Sequence, residues 1–220
     1  SVTRDDQWFA KWEKYASLAT QAVSSLTNWS EQSALAQIAK DIKGDTAVFI
    51  SSSRPIRDIE SFAHPRSGIT TYANRGLAGI DGNISTAMGI ASCHDQTTAI
   101  MGDLAFLHDI GALANPIVNA LTIIVIDNNG GGIFSTLPQR GIDGFEKIFG
   151  TPHNQEICKI VAGFGIANES VTSLKELQIA MQRKHYGLHV IVSKMPEREK
   201  NASELRFILK KYQTSINSSI

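Results

Sequence analysis

Apolar residues fall into two rhythms along the chain. Five short runs, TAVFI at 46–50, ITTYA at 69–73, TTAIM at 97–101, LTIIVI at 121–126 and LHVIV at 188–192, are nearly continuous in hydrophobic and β-branched residues. That is the pattern of strands covered on both faces, as in a parallel sheet. Most intervals between them carry a helical period. Residues 31–42 put Ala34, Leu35, Ile38, Ala39 and Ile42 on one face, and 155–164 do the same with Ile157, Ile160, Val161 and Phe164. Ser173 with Glu176 reads as a capping box opening a helix through Met181. Strands alternating with helices predict an α/β fold, a parallel sheet with helices on both faces.

The ends read differently. Residues 1–44 are expected to form a helical lead-in packing on a domain that runs over 45–220, with ASELRFILKKYQTSI at 202–216 as a terminal helix. Repeats, low-complexity stretches and internal linkers are not evident.

Composition narrows the function classes. Lys+Arg and Asp+Glu both count 21 among 220 residues, so there is no global field for nucleic acid or an anionic membrane, and anion recognition must be local. No apolar run approaches membrane-spanning length, and the start SVTRDDQWFAKWEKY lacks the features of a signal peptide. Cys93 and Cys158 have no metal-ligand spacing, so they are expected to be buried free thiols of a soluble cytoplasmic protein. The absence of an initial Met, with Trp8, Phe9 and Trp12 close by, suggests a piece of a longer protein.

The informative chemistry follows the strands. SSSRPIRD, NRGLAGIDG, GDLAFLHD and DNNGGGIFSTLPQ come directly after the first four. In a parallel sheet all four emerge at the carboxyl edge, where ligands bind in such folds. Each alone is an ordinary turn. Asp103 and Asn128 lie beyond consecutive strands, separated by about one crossover, and so return to the same edge. With a carbonyl from Gly130 they offer three oxygens suited to Mg²⁺.

Together, Gly102-Asp103 and Asn128-Asn129 resemble the metal-binding signature of the thiamine-diphosphate enzymes. With SSSRPIRD, NRGLAGIDGNISTAMGIA, NNGGGIFSTLPQ and FEKIFGTPH, the stretch from about 45 to 192 is similar to the C-terminal cofactor domain of the MenD family, the 2-succinyl-5-enolpyruvyl-6-hydroxy-3-cyclohexene-1-carboxylate synthases. The resemblance implies a thiamine-diphosphate-binding fold. It also implies a transferase that decarboxylates 2-oxoglutarate and passes the succinyl unit to isochorismate in menaquinone biosynthesis.

By that resemblance Asp103, Asn128 and Gly130 hold Mg²⁺ or Mn²⁺, and Gly102, Leu104, Gly131, Ile133 and Ile80 contact the cofactor, Ile80 as the apolar prop for its bent shape. Helix amides near Asp81-Gly82 form a natural anion site. Arg57 and Arg75, with Ser53, are candidate clamps for the substrate carboxylates, and Ile133, Phe134 and Leu137 the apolar wall. On the residues alone, Ile80, Ile133, Phe134 and Leu137 read as core, the arginines could instead form structural ion pairs, and His108 and His153 read as loop residues.

Two positions depart from the family pattern. Arg54 stands where an uncharged residue is usual, and Asp127 replaces the first of three asparagines. No residue here resembles the family's activating glutamate, so the pyrimidine-binding domain, and a middle domain after it, are expected on absent upstream chain, with the isolated chain inactive. Homo-oligomers, dimer or tetramer, are expected from the family's shared active site. The alternatives are an acetolactate-synthase-like decarboxylase and a non-catalytic α/β association module.

Overall fold

The computed structural model describes residues 6–115 and 119–218; the first five residues of the expected lead-in lie outside them. Six parallel strands form one sheet in the order β2-β1-β3-β4-β6-β5. They are β1 (Ala47–Ile50), β2 (Thr70–Tyr72), β3 (Gln96–Gly102), β4 (Ala120–Asp127), β5 (Ala167–Val171) and β6 (Leu188–Lys194).

Strand periodicity sorts side chains into two cores. Phe49, Ala99, Met101, Ile123, Val125, Val190 and Val192 face one side, against α4 (Asn83–Ala91) and α6 (Ile157–Gly163). Val48, Ile50, Ile100, Ile124, Ile126 and Ile191 face the other, against α2 (Glu31–Asp41) and α7 (Leu174–Gln182). The fold is therefore the expected α/β arrangement with helices on both faces.

The helix α2 belongs fully to this core, with Ala34, Leu35 and Ile38 at 0% exposure. Its start is a reciprocal cap, in which the Ser33 amide donates to Ser30 Oγ at 3.3 Å and the Ser30 amide to Ser33 Oγ at 3.1 Å. At α7 the Glu176 amide donates to Ser173 Oγ at 3.2 Å. The Glu176 carboxylate, however, reaches past Ser173 to the Thr172 amide at 2.7 Å, so only half of the expected capping box forms.

Other local expectations shift for physical reasons. β5, ANESV, escapes hydrophobic pattern because it pairs only with β6 at the sheet edge and buries Val171 alone. β2 is also an edge strand, with Thr70 and Thr71 exposed. Phe164 follows the end of α6 and is 40% exposed rather than on its buried stripe. Cys93 is exposed and Cys158 half-buried, where buried thiols were expected.

The terminal helices α1 (Asp6–Ser24) and α8 (Arg198–Asn217) pack together. α8 begins four residues earlier than the pattern suggested, and α1 buries only Ala22. Among the described residues no helix is long and apolar enough to cross a membrane.

Between β3, α5 (Asp103–His108) and β4 the chain crosses over once; from β1 it first goes outward through α3 (Arg54–Phe62) to β2. The order therefore reverses between β1 and β3, which places their carboxyl ends side by side at the crevice such sheets use for ligands.

Because α2 is core, Ile38→Ala should cost about 2–5 kcal/mol in denaturant unfolding. Leu209→Ala, at a position 54% exposed on α8, should stay within about 0.5 kcal/mol.

Candidate active site

Asp103 is the first residue of α5 and is 2% exposed. Its Oδ1 accepts from the Leu104 amide at 2.7 Å, and its Oδ2 accepts from the Gly130 amide at 2.8 Å. His153 Nε2 lies 3.0 Å from the same Oδ2. The loop after β4 and the segment around His153 are thus both tied to the residue that follows β3.

Close approach of the chain demands the glycine run. Gly130 has φ +131°, and a Cβ there would lie 2.1 Å from the Gly150 carbonyl oxygen. At Gly131 a Cβ would lie 2.1 Å from the Phe149 oxygen, and the Gly131 amide donates to Gly150 at 2.8 Å. Arg198, opening α8, fastens this crossing from behind by donating to the carbonyls of Asn129 and Gly150 and pairing with Glu146.

Asn128 carries the decisive observation. Its Nδ2 donates to Glu31 Oε1 at 2.8 Å, while its Oδ1 is buried with no hydrogen-bond partner. Glu31 fixes which end of the amide points where, leaving an acceptor oxygen unused on the loop whose Gly130 amide reaches Asp103. Leaving such an atom unpaired costs about 1–3 kcal/mol, and a cation would relieve it.

A cleft of ≈ 220 Å³ opens here, lined by residues 51–55, 78–80, 102–105 and 130–134 together with Glu31, Ile126 and Asn128. Of the residues singled out in the sequence, it brings together Ser53, Ile80, Gly102, Asp103, Leu104, Asn128, Gly130, Gly131, Ile133 and Phe134. Arg57, Arg75 and Leu137 are not in its wall. Arg57 is exposed and donates to the Ser53 carbonyl at 2.8 Å, Arg75 sits in the exposed loop before α4, and Leu137 is 39% exposed. The guanidinium in the wall belongs to Arg54, paired with buried Asp58. A larger cavity of ≈ 440 Å³ lies across the loop between Asn129 and Arg198 and is edged by surface ion pairs.

The rim is rich in desolvated acid. Burial raises the pKa of Glu31, against the hydrogen bond from Asn128. Asp58 is pushed up to about 7, because burial outweighs its ion pair with Arg54. Asp127 is raised by burial and then by Asp103, and His153 is raised chiefly by its hydrogen bond to Asp103. Acidic groups held this way, with an orphaned amide oxygen among them, fit a divalent cation. Asp103, Asp127 and His153 also converge, with ligand atoms within 4.8 Å of one another.

Elsewhere the anion chemistry is already served by the protein. The Asp109 carboxylate accepts from the Ser85 amide at 2.8 Å in the first turn of α4, so part of that helix end is occupied. Asn83 is buried and donates to the carbonyls of Gly79 and Asp81 at 3.3 and 3.1 Å, which shapes the loop carrying Ile80.

Residue patterns missed Glu31, Asp58 and His153. Glu31 and Asn128 are 97 positions apart, and no local period links them. His153 had one signal, its place in the FEKIFGTPH segment.

The model of the family described as thiamine pyrophosphate enzyme, C-terminal TPP binding domain, matches residues 56–192. The chain belongs to that family. A synthase named 2-succinyl-5-enolpyruvyl-6-hydroxy-3-cyclohexene-1-carboxylate synthase, from Corynebacterium glutamicum (strain R), is 44% identical over 63% of the chain and 28% of its own length. One of the same name from Staphylococcus haemolyticus (strain JCSC1435) is 34% identical over 100% of the chain and 40% of its own length. The chain therefore spans well under half of these relatives. Among solved structures, benzoylformate decarboxylase from Polynucleobacter necessarius aligns with a TM-score of 0.62 at 17% identity, over 76% of this chain and 33% of that one. At that identity the likeness shows the fold.

Two outcomes follow from the buried acids. Glu31→Met removes the carboxylate acceptor that orients Asn128, and Mn²⁺ affinity followed by electron paramagnetic resonance should fall roughly tenfold, as for a lost outer-shell partner. Asp58 has a folded pKa above its ordinary 3.8, so its stabilising contribution is full below that value and is lost as pH rises through about 7. Asp58→Asn should accordingly flatten the loss of stability between about pH 4 and pH 7 in urea unfolding.

Proposed function

We propose that this chain forms the diphosphate-binding half of the active site in a MenD-type carboligase acting on 2-oxoglutarate and isochorismate. The observation that carries this reading is the unpaired Asn128 oxygen, in a residue that lines the same cleft as Asp103, on a rim built by glycine. The names and coverage of the relatives supply the substrates.

Asp103, Asn128 and the Gly130 carbonyl would hold Mg²⁺ or Mn²⁺ against the diphosphate. Gly102, Leu104, Gly131, Ile133 and Ile80 would contact the cofactor, with Ile80 on the loop that Asn83 shapes. When bound, thiamine diphosphate supplies the electron sink for decarboxylating the 2-oxo acid and passing on the remaining unit. The chain's own residues orient and desolvate. Ile133, Phe134 and Leu137 give an apolar surface, and Ser53, Arg57 and Arg75 recognise carboxylates from within a turn or a loop of the cleft wall. Arg54, held by Asp58, adds positive charge that the usual family pattern lacks.

The cofactor's pyrimidine half, with its activating carboxylate, would be held by a domain outside these 220 residues, in a homo-oligomer, dimer or tetramer, of the complete protein. In that organisation residues 45–220 carry the cofactor-binding unit and 1–44 lead into it, with α2 of that lead-in packed in its core and Glu31 in its cleft wall. Two free thiols, one of them exposed, suit a reducing cytoplasm. The ordered rim argues against a purely structural module.

Titration calorimetry of thiamine diphosphate with Mg²⁺ tests the reading. Metal-dependent heat is expected, and Asp103→Ala should abolish it. Heat that is independent of metal, or unchanged in the variant, would overturn the assignment. With 2-oxoglutarate and isochorismate added, the isolated chain should yield no product, whereas the complete protein should.

A further inference from the structure

A second group of metal-ligating side chains lies far from the cleft. His189 is the second residue of β6, opposite Ala167 at the start of β5, and Glu169 is two residues further along β5. The register partner of Asp127 is Lys194, five residues up the same strand, or about 16 Å toward the rim. His185 sits on the connection from α7 that leads into β6.

These groups are short of partners. His189 is 5% exposed; its Nδ1 has no hydrogen bond and its Nε2 has only the Glu169 carboxylate near it, while His185 Nε2 is buried and unpaired. His189 Nε2 and Glu169 Oε1 are 3.4 Å apart. That spacing equals the ligand–ligand edge of a tetrahedron with bonds of about 2.0–2.1 Å, the usual zinc geometry. Arg183 holds the other carboxylate oxygen, Oε2, at 2.7 Å, which leaves Oε1 turned to the imidazole. The ligand atoms of all three residues lie within 4.8 Å of one another.

We propose that Glu169, His185 and His189 bind a divalent transition metal of the zinc class, at the amino end of the sheet and independently of the cofactor site. Two imidazoles and one carboxylate suit zinc, and three protein ligands leave a position for water. The His185 and His189 rings are stacked at 3.5 Å and 7°, an arrangement that cannot direct both in-plane lone pairs at one ion. Metal entry therefore swings His185 out of the stack on its connecting segment. The ion would tie the polar edge strand β5 to β6 and to the end of the α7 connection.

The test is Zn²⁺ titration of the purified chain against a chromophoric chelator, in excess Mg²⁺ to fill the oxygen-rich rim. One equivalent is expected at micromolar metal, with the visible bands of tetrahedral Co²⁺ on substitution. His185→Ala and Glu169→Gln should each weaken Zn²⁺ by more than the roughly 10–100-fold typical of a lost outer-shell partner, while their metal-free melting stays at the parent value. Asp103→Ala should leave Zn²⁺ binding intact. The proposal is overturned if no stoichiometric Zn²⁺ binds, if both ligand variants retain parent affinity, or if Asp103→Ala removes the binding.

Discussion

The rim depends on one buried carboxylate. Asp103 joins the end of β3 to the loop after β4 through the Gly130 amide, and to the segment carrying His153 through the same oxygen. A polar acceptor in so dry a place is stable only while its lone pairs are used. The demand propagates outward: the loop must come within hydrogen-bonding distance, so residues 130–131 must lack Cβ atoms, and Arg198 must hold the crossing carbonyls. Removing the acid would release several elements at once.

Much of this was readable from sequence because the informative residues sit at fixed offsets from strands. Asp103, Asn128 and Gly130 follow strands that hydrophobicity alone locates, and strand adjacency converts their positions into proximity. Near-continuous hydrophobicity likewise announced a sheet covered on both faces, and alternate residues of β3, β4 and β6 divide between two cores.

What stayed hidden has a common cause. Glu31 reaches Asn128 across 97 positions of chain, and Arg54 is turned toward Asp58 by a local helical spacing that also occurs on any surface. Neither leaves a period to detect. β5 was missed because an edge strand need satisfy its hydrogen bonds on one side only and can carry Asn, Glu and Ser. Arg57 and Arg75 match a family pattern, yet the cleft wall takes Arg54 instead, since Arg57 is turned back onto the Ser53 carbonyl and Arg75 lies in the exposed loop before α4.

The packing of α1 has a consequence for motion. This 19-residue helix buries only Ala22, lies along α8, and leaves Trp8 and Trp12 at 60% and 57% exposure. Helices with so little covered surface open at a free energy far below that of the whole molecule. Its amide protons should therefore trade with solvent deuterium long before those of β3 and β4, and the molecule would carry a slow-exchanging body with a quickly exchanging arm.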